Sequence, residues 1–151
     1  MKLDFRTARR GDLARLVGML ADDRLGAERE RFEDPLPSGY IDAFKAIDAD
    51  KNQELLVADS DGLVVGFLQL SFLPHLTHQG AWRAQIEGVR VASEARGGGI
   101  GRELMQEAIR RARERNCRMV QLTSNKSRSR AVAFYGSLGF EATHEGFKLD
   151  L

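Results

Sequence analysis

The sequence predicts an α/β fold: a central twisted, mixed β-sheet flanked by helices on both faces. Three observations carry this reading. Strand-like runs alternate with stretches of helical periodicity along 151 residues, a length that suits one domain with a real core. Ser60-Asp61-Gly62 lies between two apolar runs and reads as a hairpin turn, which makes part of the sheet antiparallel. A glycine-rich stretch, Arg96 to Gly101, separates a strand from the clearest amphipathic helix, the arrangement of a right-handed crossover to a parallel strand. Residues 1–151 are therefore expected to form a single domain.

Each element has its own signal. Leu3 to Thr7 alternates as a short first strand. Asp12 is placed to cap a helix running to about Asp23, with Leu13, Leu16, Val17 and Leu20 on one face. Residues 24–37 are charged, end in Pro35-Leu36-Pro37 and are expected to be the least regular part. Ser38 then caps a second helix through Ile41, Phe44 and Ile47. Strands follow at Glu54 to Ala58 and Leu63 to Phe72, with Pro74 as a break and a loop carrying His75 and His78. The next strand runs from about Trp82 to Val91. In the helix after the glycines, Ile100, Leu104, Ala108 and Ala112 repeat every four residues, with Met105 and Ile109 beside them. Asn116 is a left-handed stop. Arg118 to Thr123 is a strand, Ser127 or Ser129 caps a short helix through Tyr135, and Gly139 ends it. Phe140 to Leu151 is expected to return as a strand or hairpin.

Composition narrows the class. Hydrophobic residues make up 42% and charged residues 30%, the balance of a globular protein rather than a disordered chain. No apolar run approaches the ~20 residues that span a bilayer. Met1 to Arg10 lacks the apolar centre of a signal peptide, and the lone Cys117 offers no internal disulfide. A cytoplasmic location is the expectation. The net charge is only +1, yet Arg96 to Arg130 holds ten basic residues against three acids. No nucleic-acid-binding signature accompanies that excess, and a basic field also attracts a phosphorylated small molecule.

The glycine stretch carries the chemistry. A loop with few side chains lets its backbone N–H groups converge, and the helix that follows adds its own unpaired N–H donors and the positive end of its dipole. Such a turn is an anion cradle suited to phosphate. No Lys follows Gly101, so a Walker loop is ruled out. Gly97 and Gly99 fit two positions of a dinucleotide fingerprint, but Arg102 occupies the third. A ligand-free glycine connection is the bland alternative.

Arg-x-x-Gly-x-Gly, filled by Arg96, Gly99 and Gly101, resembles the loop of the GNAT superfamily of N-acetyltransferases. Asn125 and the run Phe134-Tyr135-Gly136-Ser137-Leu138-Gly139-Phe140 look like the closing motif of the same superfamily. More narrowly, His75, His78 and Trp82, Ala95 to Gly97, the Asn125 region and His144 resemble the aminoalkylphosphonate N-acetyltransferases and their small relatives. The resemblance implies acetyl-CoA as acetyl donor and a small-molecule or peptide amine as acceptor, and homodimers are common in the superfamily. It implies that the backbone of Val89, Arg90 and Val91 and the loop Arg96, Gly97, Gly98, Gly99, Ile100, Gly101 and Arg102 hold the cofactor, with Asn125 touching the pantetheine arm. Bulk at Gly98 or Gly99 would then obstruct the phosphate.

Amine acylation needs a proton acceptor, an oxyanion site and a donor for the leaving thiolate. Tyr135 matches the position whose hydroxyl faces the thioester sulfur; a phenol with a pKa of about 10 stays protonated at neutral pH and can donate to a nascent thiolate. The resembled relatives carry Glu where this chain has Gln85, which cannot take up a proton. Glu87 lies two residues on, on the same strand face by period-2 alternation, and can act directly or through a water. His75, His78 and His144 remain alternative bases. His75 and His78 are not accompanied by a third metal ligand. The alternative to an enzyme is an acyl-CoA-binding sensor or regulatory protein with the same cradle, a reading that Gln85 supports.

Overall fold

Strands β1 (Asp4–Thr7), β2 (Gln53–Ser60), β3 (Leu63–Pro74), β4 (Trp82–Val91) and β5 (Met119–Leu122) form one sheet in that order in the computed structural model, which describes residues 2–151. The first four pair antiparallel. The hairpin between β2 and β3 turns on Asp61 (φ 50°) and Gly62 (φ 90°), two left-handed residues of the kind a tight hairpin requires. Arg118 N–H donates to Trp82 O at 2.8 Å, joining the beginnings of β5 and β4, so these two strands run the same way and the sheet is mixed.

Helices α1 (Leu13–Ala21), α2 (Arg24–Arg29), α3 (Ser38–Ala49), the one-turn α4 (Thr77–Gly80), α5 (Ile100–Glu114) and α6 (Ser129–Ser137) complete the fold. Strand alternation sends side chains to two layers. Leu55, Val57 and Phe67 pack with Leu13, Leu16, Val17 and Met19 of α1 and Phe44 of α3. The alternate residues Leu56, Leu68, Leu70 and Ile86 are buried with the stripe of α5: Ile100, Leu104, Met105, Ala108 and Ala112. α5 packs tightly over Gly66 of β3: a Cβ there would lie 3.3 Å from Ile100 Cγ2 and 3.1 Å from Arg90 O. Burying each large side chain of this kind contributes about 1.5–3 kcal/mol. The chain divides into two compact units, one ending at Gln121 and the other Leu122–Leu151.

Several elements depart from the sequence reading. Residues 24–37 were expected to be irregular, but Asp23 caps α2 there, its Oδ1 accepting Gly26 N–H at 2.6 Å. Gly26 is required by contact, because a Cβ would sit 1.9 Å from Leu20 O. Asp12 ends the 3₁₀ turn Arg10–Asp12, and its side chain accepts Arg9 N–H at 2.7 Å rather than capping α1. β3 continues to Pro74, whose missing N–H is tolerated at a strand end. Phe140 to Leu151 has no strand: within Leu122–Leu151 no second segment closes a ladder with it among the described residues. Asn116 (φ 59°) and Gly139 (φ 97°) are left-handed, as expected of helix stops.

Candidate active site

The site is built around an irregularity in β4. Phe67 pairs with Arg90 and Gln69 with Glu87, so three steps of β4 face two of β3. The extra residue is accommodated at Gly88, whose φ of 64° is left-handed. Before this bulge, Gln85 pairs with Ser71 and Glu87 with Gln69, on the sheet face away from α5. Beyond it, Arg90 takes the face that Val89 would have held. A bulge interrupts the ladder and re-aims the backbone from Val89 to Val91.

One ion pair and one arginine bonded to main-chain carbonyls hold this segment. Arg90 reaches Asp23, the α2 cap, at 3.1 Å and also donates to Val89 O at 2.9 Å. The Arg90 side chain is only 13% exposed, so its charge is held against Asp23 rather than in solvent. Arg96 donates from Nε to Val91 O at 3.3 Å and from its Nη2 to Asp22 O at 3.4 Å. That guanidinium therefore fastens the glycine turn to the strand end and to the α1–α2 corner.

The turn itself is made by Gly97 (φ 87°) and Gly99 (φ 81°), both exposed, with Gly99 as the N-cap of α5. The first intrahelical bond is Glu103 N–H to Gly99 O at 3.1 Å, so the N–H groups of Ile100, Gly101 and Arg102 precede it and point out of the helix start. A Cβ at Gly97 or Gly99 would meet nothing within 4 Å, and one at Gly98 would meet only Ala95 O at 3.7 Å. The space beside the turn is open, and left-handed φ is the constraint at 97 and 99. Exposed glycines, converging N–H groups and a 15-residue helix dipole fit the diphosphate of coenzyme A.

Across the face of the sheet bearing Gln85 lies a band of amides. Gln121 Nε2 donates to Gln85 Oε1 at 2.7 Å, and Arg83 Nη1 donates to Gln121 Oε1 at 3.2 Å. Gln69 Nε2 and Ser71 Oγ both donate to Gln53 Oε1, at 3.2 and 2.7 Å. Glu87 stands exposed at the edge of this band. Arg83, Gln121 and Gln53 escaped the sequence reading; the signal was the period-2 run Arg83, Gln85, Glu87 on one strand face.

The three histidines have different local surroundings. His75 Nδ1 lies 3.1 Å from Leu73 O, which fixes the proton on that nitrogen, since a carbonyl only accepts. His78 and Gln79 have φ of 53° and 63°, strained values for residues with a Cβ. His144 Nδ1 is 2.6 Å from Thr143 Oγ1 in the second unit. Cys117 follows α5, with its N–H on Ala112 O at 3.0 Å, and burial pushes its thiol pKa up.

The remaining two expected site residues lie in the second unit. Asn125 Oδ1 accepts Ser127 N–H at 2.9 Å and Ser127 Oγ–H at 2.8 Å, forming the turn before α6. Tyr135 is half-buried on α6, its ring 5.3 Å from Phe134 and edge-on to Phe140 at 6.0 Å.

A bulged central strand running into a glycine turn and a helix start is an anion cradle set on an α/β sheet. The chain belongs to the acetyltransferase (GNAT) family, whose model matches residues 22–140. It is 32% identical over 108 residues to the aminoalkylphosphonate N-acetyltransferase of Salmonella typhimurium, a match covering 72% of this chain and 70% of that protein. A crystal structure described as a transcriptional regulator from Bacillus halodurans C-125 is 54% identical, covers 99% of this chain and 100% of its own, and superposes with a TM-score of 0.97. An acetyltransferase from Clostridium acetobutylicum solved with acetyl-CoA shares the fold at 20% identity, covering 99% and 96% of the two chains, with a TM-score of 0.76. No helix among the described residues is long and apolar enough to cross a membrane.

Proposed function

We propose that this protein, with residues 1–151 acting as one catalytic domain, transfers an acetyl group from acetyl-CoA to a primary amine of a small molecule or peptide. The observation that carries the reading is the Gly97–Gly99 turn opening α5, fastened by Arg96 and set directly after the Gly88 bulge. Gly97, Gly98, Gly99, Ile100, Gly101 and Arg102 would hold the diphosphate through backbone N–H groups, and Val89, Arg90 and Val91 the pantetheine arm. Asn125 would extend that contact. Acetyl-CoA supplies the thioester carbonyl that an amine attacks.

Glu87 is the proposed base, taking the ammonium proton directly or through a water; Tyr135 is the proposed acid for the leaving thiolate. Transfer is direct within a ternary complex. Cys117, whose thiol is held more strongly protonated by burial, is a poor acyl carrier.

A second reading keeps the cradle without the chemistry: an acyl-CoA-binding regulatory protein. The Bacillus halodurans neighbour described as a transcriptional regulator, and Gln85 in place of a carboxylate, favour it. Thiol release from acetyl-CoA over a broad amine panel, read beside calorimetry of acetyl-CoA binding, separates the two. Release with any amine supports the transferase. Binding without release supports the sensor, and no heat at millimolar acetyl-CoA removes both.

A further inference from the structure

The end of the sheet farthest from the glycine turn carries a second concentration of charge. β3 finishes there, α5 ends there, and β4 begins there, about 25–30 Å along the strand from Val91. Arg113, Arg115 and Arg118, from the end of α5 and the link to β5, are exposed, as is Lys51 before β2. Among the described residues none of these four pairs with a carboxylate, whereas Arg110 and Arg111 nearby are matched by Glu107, Glu114 and Glu54. Arg115 donates to Lys51 O at 3.3 Å and Asn52 Oδ1 at 2.7 Å, and its guanidinium lies 4.0 Å from the centre of the Phe72 ring. Arg118 donates to His78 O at 3.4 Å. Such partners hold the side chains in place without cancelling their charge. A basic residue in the last turn of a helix complements its dipole, which accounts for Arg113; Arg118 and Lys51 lie outside that turn.

Beside the arginines, the turn between β3 and β4 presents apolar surface to solvent. Leu76 is 97% exposed and Trp82 37%, so neither finds full cover within this chain. His78 and Gln79 hold left-handed φ values of 53° and 63°, a cost that residues with a Cβ bear only where their surroundings enforce it. Arg118 ties this turn to the end of α5, through its bond to His78 O and its N–H to Trp82 O at 2.8 Å. Charge without counter-charge and apolar surface without cover meet at one place.

The kind of partner follows from what interrupts the field. Glu114, its side chain 62% exposed, stands between Arg113 and Arg115 in the chain, and the exposed Asp50 precedes Lys51. A nucleic-acid backbone, charged at every step, would meet these acids as well as the arginines. Carboxylates spaced along a polypeptide can avoid them and still pair with the guanidinium groups. Leu76, the more exposed of the two apolar residues, offers an aliphatic contact rather than a ring on which bases stack. We infer that this end of the sheet is a docking surface for an acidic segment of another protein, one carrying an apolar side chain among its carboxylates. The surface is independent of the acetyltransferase reading and leaves the glycine turn uncovered.

The test is fluorescence anisotropy of a labelled peptide with several Asp and Glu residues around one Leu. It is compared with its Asn/Gln counterpart, with polyglutamate and with a single-stranded oligonucleotide of equal charge. Wild type is set beside Arg113→Glu, Arg118→Glu, Leu76→Ser and the control Lys2→Glu, which precedes the strand end paired with Asp59 at the other end of the sheet. Thermal melts first establish that each is folded. Wild type should bind the acidic peptide at least ~10-fold more tightly than its neutral counterpart, with affinity falling as salt is raised. Arg113→Glu and Arg118→Glu should each weaken that binding by about 10-fold, and Lys2→Glu by less than about 2-fold. Leu76→Ser should weaken the peptide by about 5- to 10-fold and leave polyglutamate unchanged. Equal binding of charged and neutral peptides, a loss in Lys2→Glu as large as in Arg118→Glu, or tighter binding of the oligonucleotide than of the peptide overturns the inference. So does a dimer of the free protein that Leu76→Ser dissolves, which would assign the surface to a second copy.

Discussion

Arg90 and Asp23 face each other at 3.1 Å, and through them the bulged end of β4 is tied to the start of α2. Asp23 serves two partners, since its other oxygen caps Gly26 N–H. Asp23→Ala should therefore cost about 2–4 kcal/mol, a lost cap plus a guanidinium left without its carboxylate. Asp23→Asn keeps the cap and should lose less. Denaturant melts measure both, and acetyl-CoA affinity should fall with stability if this tie holds the Val89–Val91 backbone in place.

The glycine turn separates folding from binding. Gly99→Ala forces a Cβ into left-handed φ and should destabilise the protein by about 1–2 kcal/mol. Gly98 has no positive φ and room for a methyl group, so Gly98→Ala should melt within about 0.5 kcal/mol of wild type. Its acetyl-CoA affinity should nevertheless drop in calorimetry, because the methyl group enters the open side of the turn. Unchanged affinity would mean that the diphosphate lies elsewhere.

Tyr135→Phe retains the ring packed on Phe134 and Phe140 and removes only the hydroxyl. Turnover should fall by about 10²–10⁴, with acetyl-CoA still bound. Glu87→Gln should abolish the acidic limb of the pH–rate profile. Wild-type turnover in the first variant, or an identical profile in the second, removes that residue from the mechanism.

Cys117→Ala should turn over like wild type and give no acetylated protein on intact mass analysis. A trapped acetyl adduct on the wild-type chain that vanishes in this variant would replace direct transfer with an acyl-enzyme route.

Arg6 is clasped by Asp12 at 2.8 Å and Asp59 at 2.9 Å, all three side chains at most one-fifth exposed. The Arg6 hydrogen bond, reinforced by Arg9 N–H, outweighs desolvation and holds the Asp12 carboxyl below its ordinary pKa. A lowered folded-state value stabilises above the unfolded pKa of about 3.9, and that stability is lost as pH falls from there through the folded value. Asp12→Asn should cost about 1–3 kcal/mol at pH 7 and flatten the decline of stability below about pH 4. Urea melts across pH 3 to 7 give the curve.

What was legible in the sequence was local. The Asp61-Gly62 turn, the four-residue apolar repeat from Ile100 to Ala112 and the left-handed Asn116 each follow from short-range geometry, and all three stand in the structure. Tertiary contact decided the rest. Gly26 makes sense only against Leu20 O, Gly88 only once β3 is paired beside it, and the Arg83–Gln121–Gln85 order only when residues 36 to 38 positions apart meet across two parallel strands. Periodicity specifies which face a residue takes within its own element; which donor meets which acceptor depends on the register between elements, and no single stretch of chain encodes that.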